Sequence, residues 1–579
     1  MKKAIFFAAL TMGAVLFTFT ACQEKDPVQA SIKKAVKAGY TPYDAEFPYP
    51  ILPAGPGVSI PDWKVSEDGV KGLPAVITDL ALGDGPEFTV KTNVTPELKK
   101  AVEEAAKNNL FKDRPVKNAI VMIGDGMGAS HIKISRQYKG ELILDSIPNQ
   151  MQSKTKSYKN SQFQDDKTGF TTTDSSAGGT AILSGYKTRY GYIGVDREAN
   201  PVKTFGELGR EMNKIVGVVT NDHFADATPA CAIVHNTSRY HQSQIYMQEL
   251  LFGPDLIMGT DWGLGAYFQD GVQLHDAIMR AEYESIMSDA TVQESKTLPK
   301  IPAATDSYEQ AVDSYYAGLS DEQKEVAYKY SLRHYLHDRF APKTDYDTWC
   351  KSPNGLKAWE KATLSNMSSN TLNVNDFNYR RFTTFGDLVK AGTEGNLIGS
   401  WEHEAAWMIN KKKKPSNDGY NLHSKTEPNF PEMVKYALST LQAKAEADPN
   451  SDGFVVMIEN TCTDGWGHSQ LPLATINEIQ CFDEGVAVAL KFVLENPDTI
   501  LVISADHETG DYQTREGWET NFDAVKSASG GHSTQKVNTY GFGPGTEIFT
   551  GENENDKTGQ FIGRLLGDSS FGNVNGYAE

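Results

Sequence analysis

The sequence has little cysteine, no surplus of basic residues and only one long apolar run. Its 579 residues include 5 cysteines, and 56 Lys and Arg stand against 75 Asp and Glu, for a formal net charge of -19. This balance argues against a nucleic-acid-binding protein, because binding through phosphate contacts relies on clustered Lys and Arg. The one basic run, residues 411–414, precedes a turn-like stretch and is interpreted as a solvated loop. Apart from residues 4–19, no stretch approaches the roughly 18 apolar residues that a membrane-spanning helix needs.

The first residues predict export. Two lysines precede the apolar stretch 4–19, which is the pattern of a signal peptide. Cys22 follows in a context that resembles the lipobox of bacterial lipoproteins, although Phe19 stands where Leu is usual. The alternative is an ordinary secretory signal with an incidental cysteine. We expect a signal peptide over residues 1–21 and lipidation of Cys22, which would hold the protein in the cell envelope, on the periplasmic or the cell-surface face of the outer membrane.

The remaining cysteines leave two interpretations open. An exported protein can form disulfides, and four cysteines allow three connectivities. None of them forms a CxxC pair, which argues against a zinc site built from thiolates. Buried free thiols are the alternative for Cys231 and Cys462, which lie in apolar surroundings, and the disulfide pattern of these two with Cys350 and Cys481 stays open.

The apolar pattern predicts an α/β fold. Residues 22–60, rich in Pro, Gly, Lys and Asp, are typical of a tether. Four later runs are short and continuously apolar, which is typical of buried parallel strands: 119–123, 215–219, 454–458 and 500–503. Helical periodicity lies between them, as at 431–441 and 479–493. We therefore expect one catalytic domain over residues 61–579, with a mostly parallel central sheet and helices on both faces.

The stretch 265–415 has a different composition. It is rich in Tyr, Trp and charged residues, with helix-like segments such as 321–339 and few strand-like runs. We interpret it as a helical, aromatic-rich insertion that caps or flanks a site. Its aromatic residues are assigned to packing rather than to a binding platform.

Acidic residues follow three of the predicted strands. Asp125, Glu459 and Asp506 come directly, or within two residues, after an apolar run. The carboxyl ends of the strands form the ligand crevice of open α/β sheets. We therefore expect these three carboxylates to converge there, although they are distant in sequence.

Histidines accompany these acids in a pattern that suits divalent metals. Asp464 and His468 lie one helical turn apart, so both can face one cation. Asp506-His507 is a strand-end pair, and His532 follows Ser-Gly-Gly, a sequence typical of a ligand on a loop. A single histidine is more often structural, but carboxylates and imidazoles in this ordered series are the ligands that such metals prefer.

A serine stands at a predicted helix start. Ser175 follows Asp174 and precedes the small residues Ser-Ala-Gly-Gly-Thr-Ala. The unpaired N–H groups and positive dipole end of a helix favour phosphate and an ionised hydroxyl there. The alternative is an N-cap serine. One serine can serve both purposes.

Together these motifs resemble the alkaline phosphatase family of metal-dependent phosphomonoesterases. The resemblance covers about 117–255 and 425–579 and is weak in the middle insertion. It rests on seven motifs in the family's order: Gly124 to Gly128, Asp174-Ser175 through Thr180-Ala181, Asp226 to Ala230, Thr237-Ser238-Arg239, Glu459 with Asp464 and His468, Asp506-His507, and Gly531-His532.

The resemblance implies three cation sites and a phosphate site. The first zinc is assigned to Asp464, His468 and His532. The second zinc is assigned to Asp125, Asp506 and His507, with Ser175 as both ligand and nucleophile. A magnesium is assigned to Asp125, Thr228 and Glu459. Arg239 corresponds to the arginine that grips phosphate, and Asp226 to a carboxylate near it.

The implied activity is hydrolysis of small phosphate monoesters through a phosphoserine intermediate, without any nucleic-acid-binding role. The family is commonly dimeric, and no residue pattern here decides whether this chain forms a homodimer. One departure from the family is Gly465, where relatives carry Lys or His, so Asp226 is expected to lack its usual cationic partner. Trp466, the next residue, is assigned either to the mouth of the site or to packing.

Two alternatives remain at this point. A two-zinc phosphodiesterase or nucleotide pyrophosphatase of the same superfamily would share the paired Asp and His sites but lack the third-metal residues Thr228 and Glu459. A remoter alternative is a non-catalytic surface lipoprotein that binds glycans through its aromatic middle region. That interpretation leaves the seven motifs unexplained.

Overall fold

The computed structural model describes most of the predicted catalytic domain. The described residues are 94–159, 169–260, 272–288, 301, 307–328, 371–372, 379–401, 428, 430–470, 472–519 and 524–575. The predicted signal peptide, Cys22 and the tether lie outside them, as do Cys350 and the basic run 411–414.

The strands account for one large sheet and four two-stranded sheets. In chain order they are β1 (Asn118–Gly124), β2 (Asn149–Lys154), β3 (Ser157–Tyr158), β4 (Phe170–Thr171), β5 (Ile215–His223), β6 (Leu256–Thr260), β7 (Val272–Gln273), β8 (Thr371–Leu372), β9 (Tyr379–Phe382), β10 (Asn396–Trp401), β11 (Phe454–Asn460), β12 (Thr499–Ser504), β13 (Glu508–Thr509), β14 (Tyr512–Thr514), β15 (Val525–Ser527), β16 (His532–Ser533), β17 (Val537–Phe542) and β18 (Gly551–Glu554).

The α-helices lie before, between and after these strands. In chain order they are α1 (Pro96–Lys107), α2 (Ala129–Lys139), α3 (Ser175–Ser184), α4 (Phe205–Glu211), α5 (Ala227–Ala230), α6 (Gln242–Phe252), α7 (Leu274–Ser288), α8 (Tyr308–Ala317), α9 (Asp321–Tyr328), α10 (Phe385–Lys390), α11 (Phe430–Ala447), α12 (Cys462–His468), α13 (Pro472–Glu495) and α14 (Asp556–Leu566). Two short 3-10 helices cover Ile143–Ser146 and Thr546–Ile548.

The large sheet has ten strands in the order β18-β2-β17-β12-β1-β11-β5-β6-β10-β9. The four strands predicted from apolar runs are its neighbouring members β12, β1, β11 and β5, and they pair with one another in parallel. Strand β17 runs antiparallel to both of its neighbours, β12 and β2. The predicted, mostly parallel central sheet is therefore confirmed.

Both faces of this sheet are covered, because successive residues of each central strand enter two different cores. Val121 and Met457 belong to one core, with apolar residues of α3, α4 and α14. Ile120 and Ile458 belong to the other, with apolar residues of α11 and α13. Strands buried on both faces read as continuous apolar runs, which explains why the sequence revealed them. The prediction of helices on both faces is confirmed.

The middle stretch 265–415 does more than insert beside the sheet. Its strands β9 and β10 extend the large sheet beyond β6, with parallel pairings throughout. Few strands were expected in this stretch, and β10 was not predicted, because its apolar pair Leu397-Ile398 is too short to stand out. Helix α9 begins the helical segment expected at 321–339, and residues 329–339 lie outside the described part.

The described cysteines form no disulfide. Cys231, Cys462 and Cys481 are all buried. This agrees with the free-thiol alternative for Cys231 and Cys462. Within the described residues, no helix combines the length and apolar character needed to cross a bilayer.

Candidate metal and phosphate site

The strand ends bring the three predicted acids to one edge of the sheet. Ile123 of β1 is in register with Glu459 of β11 on one side and with Ser504 of β12 on the other. Asp125 and Asp506 lie two residues beyond Ile123 and Ser504, respectively. The backbone N–H of Gly126 donates to Oδ1 of Asp506 at 3.1 Å, which joins the two strand ends. The convergence expected from the sequence is therefore present.

The first group of possible metal ligands consists of Asp464, His468 and His532. Asp464 and His468 occupy one turn of α12, and their Oδ2 and Nε2 atoms are 3.1 Å apart. His532 reaches the same point from β16, with Nε2 at 3.4 Å from Oδ1 of Asp464 and 3.1 Å from Nε2 of His468. The site residue expected on a loop thus lies on a short strand, paired with β13.

The backbone orients both imidazoles of this group. Nδ1 of His468 donates to the carbonyl of Gly530 at 2.7 Å, and Nδ1 of His532 donates to that of Thr173 at 2.8 Å. A neutral histidine with its proton on Nδ1 has a lone pair on Nε2, which is the atom that binds a metal. Both lone pairs then point at one place beside Asp464.

The side chains of this group also shift one another's pKa values. Burial lowers the pKa of His468, but Asp464 raises it, and the result is a pKa of about 9. Burial raises the pKa of Asp464, but the neighbouring imidazoles lower it well below its usual value. Burial and the nearby His507 lower the pKa of His532. Asp464 is therefore the side chain that favours positive charge at the point where the three meet.

The second group surrounds Ser175. Nε2 of His507 lies 3.2 Å from Oγ of Ser175, 3.1 Å from Oδ2 of Asp506 and 3.5 Å from Oδ1 of Asp125. Asp125 and His507 also form a three-residue group with Asp464, whose ligand atoms all lie within 4.8 Å of one another. Because Asp464 belongs both to this three-residue group and to the first group, the two groups of possible metal ligands are adjacent.

The third predicted group lies on the other side of Asp125. Oγ1 of Thr228 is 3.4 Å from Oδ2 of Asp125. Glu459 accepts a hydrogen bond of 2.5 Å from Oγ1 of Thr220 on the neighbouring strand β5. The set offers only oxygen atoms, which is the donor chemistry that Mg²⁺ prefers.

Two of these buried carboxylates have an oxygen atom without a donor. Oδ1 of Asp125 and Oε1 of Glu459 accept no hydrogen bond from any residue that the structure describes. Burial and the nearby Asp506 raise the pKa of Asp125 well above its usual value, and burial and Asp226 do the same for Glu459. Buried carboxylates crowded in this way need a counter-charge. The donor set therefore fits divalent cations.

Ser175 is free to face this cluster, because another residue caps its helix. Asp174 is the N-cap of α3, and its Oδ1 accepts from the backbone N–H of Ala177 at 3.2 Å. The alternative of an N-cap serine is thus wrong for Ser175, which is the first residue of the helix proper. The aspartate side chain reaches the cap position that the serine would otherwise fill.

Arg239 contacts two carboxylates, one of which belongs to Asp174, the residue before Ser175. Its guanidinium is 3.4 Å from Oδ2 of Asp174 and 3.2 Å from Oδ1 of Asp226. Nε2 of His223, at the end of β5, lies 3.9 Å from the same oxygen of Asp226. Asp226 thus has Arg239 as a cationic neighbour, whereas Gly465 supplies no cation at the position where relatives carry Lys or His. Trp466 is buried and donates to Glu478 at 3.4 Å, so packing accounts for it.

The sequence did not reveal three residues that support the ligands. His223 is one. Thr509 is another: its hydroxyl donates to Oδ1 of Asp464 and lies 3.2 Å from Nδ1 of His507, so it joins the two metal-ligand groups. Glu508 is the third, a fully buried residue between His507 and Thr509 in the sequence. Their position directly after Asp506-His507 was the only available signal for Thr509 and Glu508.

Comparison with known proteins matches these motifs to one family. The sequence pattern that defines the family described as "Alkaline phosphatase" matches residues 116–251 and 415–562. Alkaline phosphatase H of Pseudomonas aeruginosa is 24% identical over 451 residues, covering 75% of this chain and 77% of that protein.

Other similarities are shorter or structural. Alkaline phosphatase 4 of Bacillus subtilis is 35% identical over 130 residues, which cover 22% of this chain and only 28% of that relative. The solved structure of alkaline phosphatase from the Antarctic bacterium TAB5 superposes with a TM-score of 0.48 at 19% identity, covering 78% of this chain and 98% of that one.

Proposed function

Because the chain belongs to the alkaline phosphatase family, we propose that it hydrolyses phosphate monoesters and releases inorganic phosphate. The observation that carries this proposal is the position of Ser175. Its hydroxyl lies at the start of α3, 3.2 Å from Nε2 of His507 and beside two groups of metal-binding side chains. A nucleophilic oxygen in such surroundings suits phosphoryl transfer through a covalent intermediate.

Three cations belong to this proposal. Two zinc ions suit the imidazole-containing groups, Asp464 with His468 and His532, and Asp125 with Asp506 and His507. One magnesium ion suits the oxygen-only group of Asp125, Thr228 and Glu459. When bound, these cations would supply positive charge that favours ionisation of the serine hydroxyl and stabilises charge on the phosphate and leaving-group oxygens.

The protein's own residues account for nucleophile and orientation. Oγ of Ser175 gives up its proton to solvent, attacks phosphorus and forms an O–P bond while the bond to the leaving oxygen breaks, and the alcohol departs with a proton from solvent. Water then attacks the phosphoserine from the vacated side and gives up a proton, the Oγ–P bond breaks, Oγ takes up a proton again and phosphate is released. Arg239 suits the role of binding two phosphate oxygens through its planar fork, which Asp174 and Asp226 hold in place.

The decisive test compares a monoester with a diester. Arg239 and the proposed magnesium ligands around Glu459 favour the additional negative charge of a monoester. The second substituent of a diester would have to lie where these groups contact the phosphate. We expect kcat/KM for 4-nitrophenyl phosphate to exceed that for the bis(4-nitrophenyl) diester by several orders of magnitude. Glu459→Ala should narrow this gap, mainly by lowering monoester turnover. Preference for the diester would instead support the phosphodiesterase alternative.

A further inference from the structure

Glu508 is a fully buried carboxylate that directly follows His507 on β13. It belongs to none of the groups of metal ligands described above. A buried charge is costly unless donors surround it, so the identity of those donors shows what the residue does.

The donors come from separate parts of the chain. Oε1 accepts from the backbone N–H of Tyr512 at 3.1 Å and lies 3.2 Å from Nε2 of His131 on α2. Oε2 accepts from the backbone N–H of Asp511 at 3.2 Å and from the hydroxyl of Ser533. One carboxylate thus contacts α2, β16 and the backbone at the start of β14.

Glu508 and two of its partners lie near predicted metal ligands in the chain. Ser533 directly follows His532, and Glu508 directly follows His507. His131 lies in the first turn of α2, whose N-cap Gly128 ends the turn that bears Asp125. Nδ1 of His131 accepts from the backbone N–H of Gly128 at 3.2 Å, so the imidazole is tied to that turn as well.

Gly128 makes the close approach possible. A Cβ at this position would lie 2.1 Å from Cγ of Glu508, which is closer than two non-bonded carbon atoms can approach. The glycine therefore lets the side chain of Glu508 cross the turn and reach its three sets of partners.

We propose that Glu508 is a positioning residue that holds the segments bearing Asp125, His507 and His532 in the arrangement that binds zinc. The proposal rests on the zinc sites of the proposed function, but not on turnover. Its physical basis is that a single buried acceptor joins the start of α2, next to the turn that bears Asp125, to the paired strands β13 and β16, next to His507 and His532. Outer partners of this kind typically change metal affinity about 10- to 100-fold.

The test measures zinc affinity of the full chain by competition with a chromogenic chelator. Glu508→Gln keeps the size of the side chain, but its amide nitrogen cannot accept a hydrogen bond, so one pair of donors loses its acceptor. We expect zinc to bind at least about 10-fold more weakly. Wild-type zinc affinity in this variant would overturn the proposal.

A matched control separates positioning from general stability. Asp483 on α13 is an equally buried carboxylate that accepts from the backbone N–H groups of Ile143 and Leu144 at 2.9 and 3.2 Å. Asp483→Asn should lower the melting temperature of the metal-free protein and leave zinc affinity unchanged. An equal loss of zinc affinity in both variants would contradict a specific role for Glu508.

A milder variant covers the case in which Glu508→Gln does not fold. Ser533→Ala removes one donor and should weaken zinc binding in the same direction by a smaller factor, whereas unchanged affinity would overturn the proposal. The two proposals also fail separately, because zinc binding is measured without substrate. A wild-type protein that binds zinc but hydrolyses no monoester contradicts the proposed function, while the variant affinities still decide the role of Glu508.

Discussion

Nε2 of His507 lies 3.2 Å from Oγ of Ser175, although 332 positions separate the two residues along the chain. The start of helix α3 can approach the end of β12 this closely because Gly178 has no side chain. A Cβ at Gly178 would lie only 2.7 Å from the backbone oxygen of Asp506. The small residues after Ser175 therefore place the hydroxyl against the strand-end imidazole.

Ser175→Ala should lower kcat by roughly three or more orders of magnitude, because the covalent step loses its nucleophile. Rapid acid quench with labelled substrate should trap phosphoserine in the wild type and none in the variant. Ser176 provides the matched control, since its hydroxyl donates to Oδ2 of Asp174 at 2.9 Å instead of facing His507. If Ser176→Ala abolished trapping and Ser175→Ala did not, the nucleophile would be Ser176.

Removal of metal should abolish turnover and lower stability, because the buried carboxylates of Asp125, Asp464 and Glu459 lose their counter-charges. Elemental analysis should find about two zinc ions and one magnesium ion per chain. EDTA treatment should eliminate activity and lower the melting temperature, and zinc with magnesium should restore both. Full turnover by a sample shown to contain no metal would contradict the assignment of all three sites.

Thr509 should couple the two zinc positions. Its hydroxyl has one proton, which goes to Asp464, so Nδ1–H of His507 becomes the donor to Thr509 and leaves Nε2 free to bind metal. Thr509→Val has nearly the same shape but leaves that N–H without an acceptor. We expect zinc affinity to fall about 10-fold and Thr509→Ser to recover most of it. Equal affinities for the Val and Ser variants would show that the hydroxyl is irrelevant.

Glu249 should make stability depend on pH. It is buried on α6, both of its carboxylate oxygens lack hydrogen-bond donors among the described residues, and burial raises its pKa well above the ordinary 4.5. As pH rises above 4.5, the unfolded chain releases this proton while the native state keeps it. The contribution to stability is therefore complete below 4.5 and decreases by up to about 1.4 kcal/mol per pH unit until the native group also ionises.

Denaturant unfolding at several pH values measures this effect. Glu249→Gln should stabilise the protein relative to wild type by an amount that grows as pH rises from 4.5, because the amide does not ionise. Glu103, an exposed residue on α1 that pairs with Lys107, is the control. Glu103→Gln should leave the pH dependence of the free energy of unfolding unchanged. If this free energy varied with pH equally in wild type and Glu249→Gln, the role of Glu249 in the pH dependence would be refuted.

The sequence by itself determined the centre of the sheet and the order of the ligands. Strands β1, β5, β11 and β12 are buried on both faces, so each is a continuous apolar run that needs no partner to be recognised. The acids after them lie at carboxyl ends of parallel strands, and that rule predicts their convergence without coordinates. The helical spacing of Asp464 and His468 is equally local.

Only the tertiary structure decided what surrounds those ligands. Asp174 rather than Ser175 caps α3, His223 stands beside Asp226, and Glu508 joins three segments, because each contact depends on where distant backbone happens to pass. Strand β10 and the antiparallel β17 escaped notice since their local composition is ordinary. The periodicity of apolar residues shows which face of a segment is buried and which faces solvent. A hydrogen bond between remote segments does not change the types of the neighbouring residues, so the sequence pattern does not reveal it.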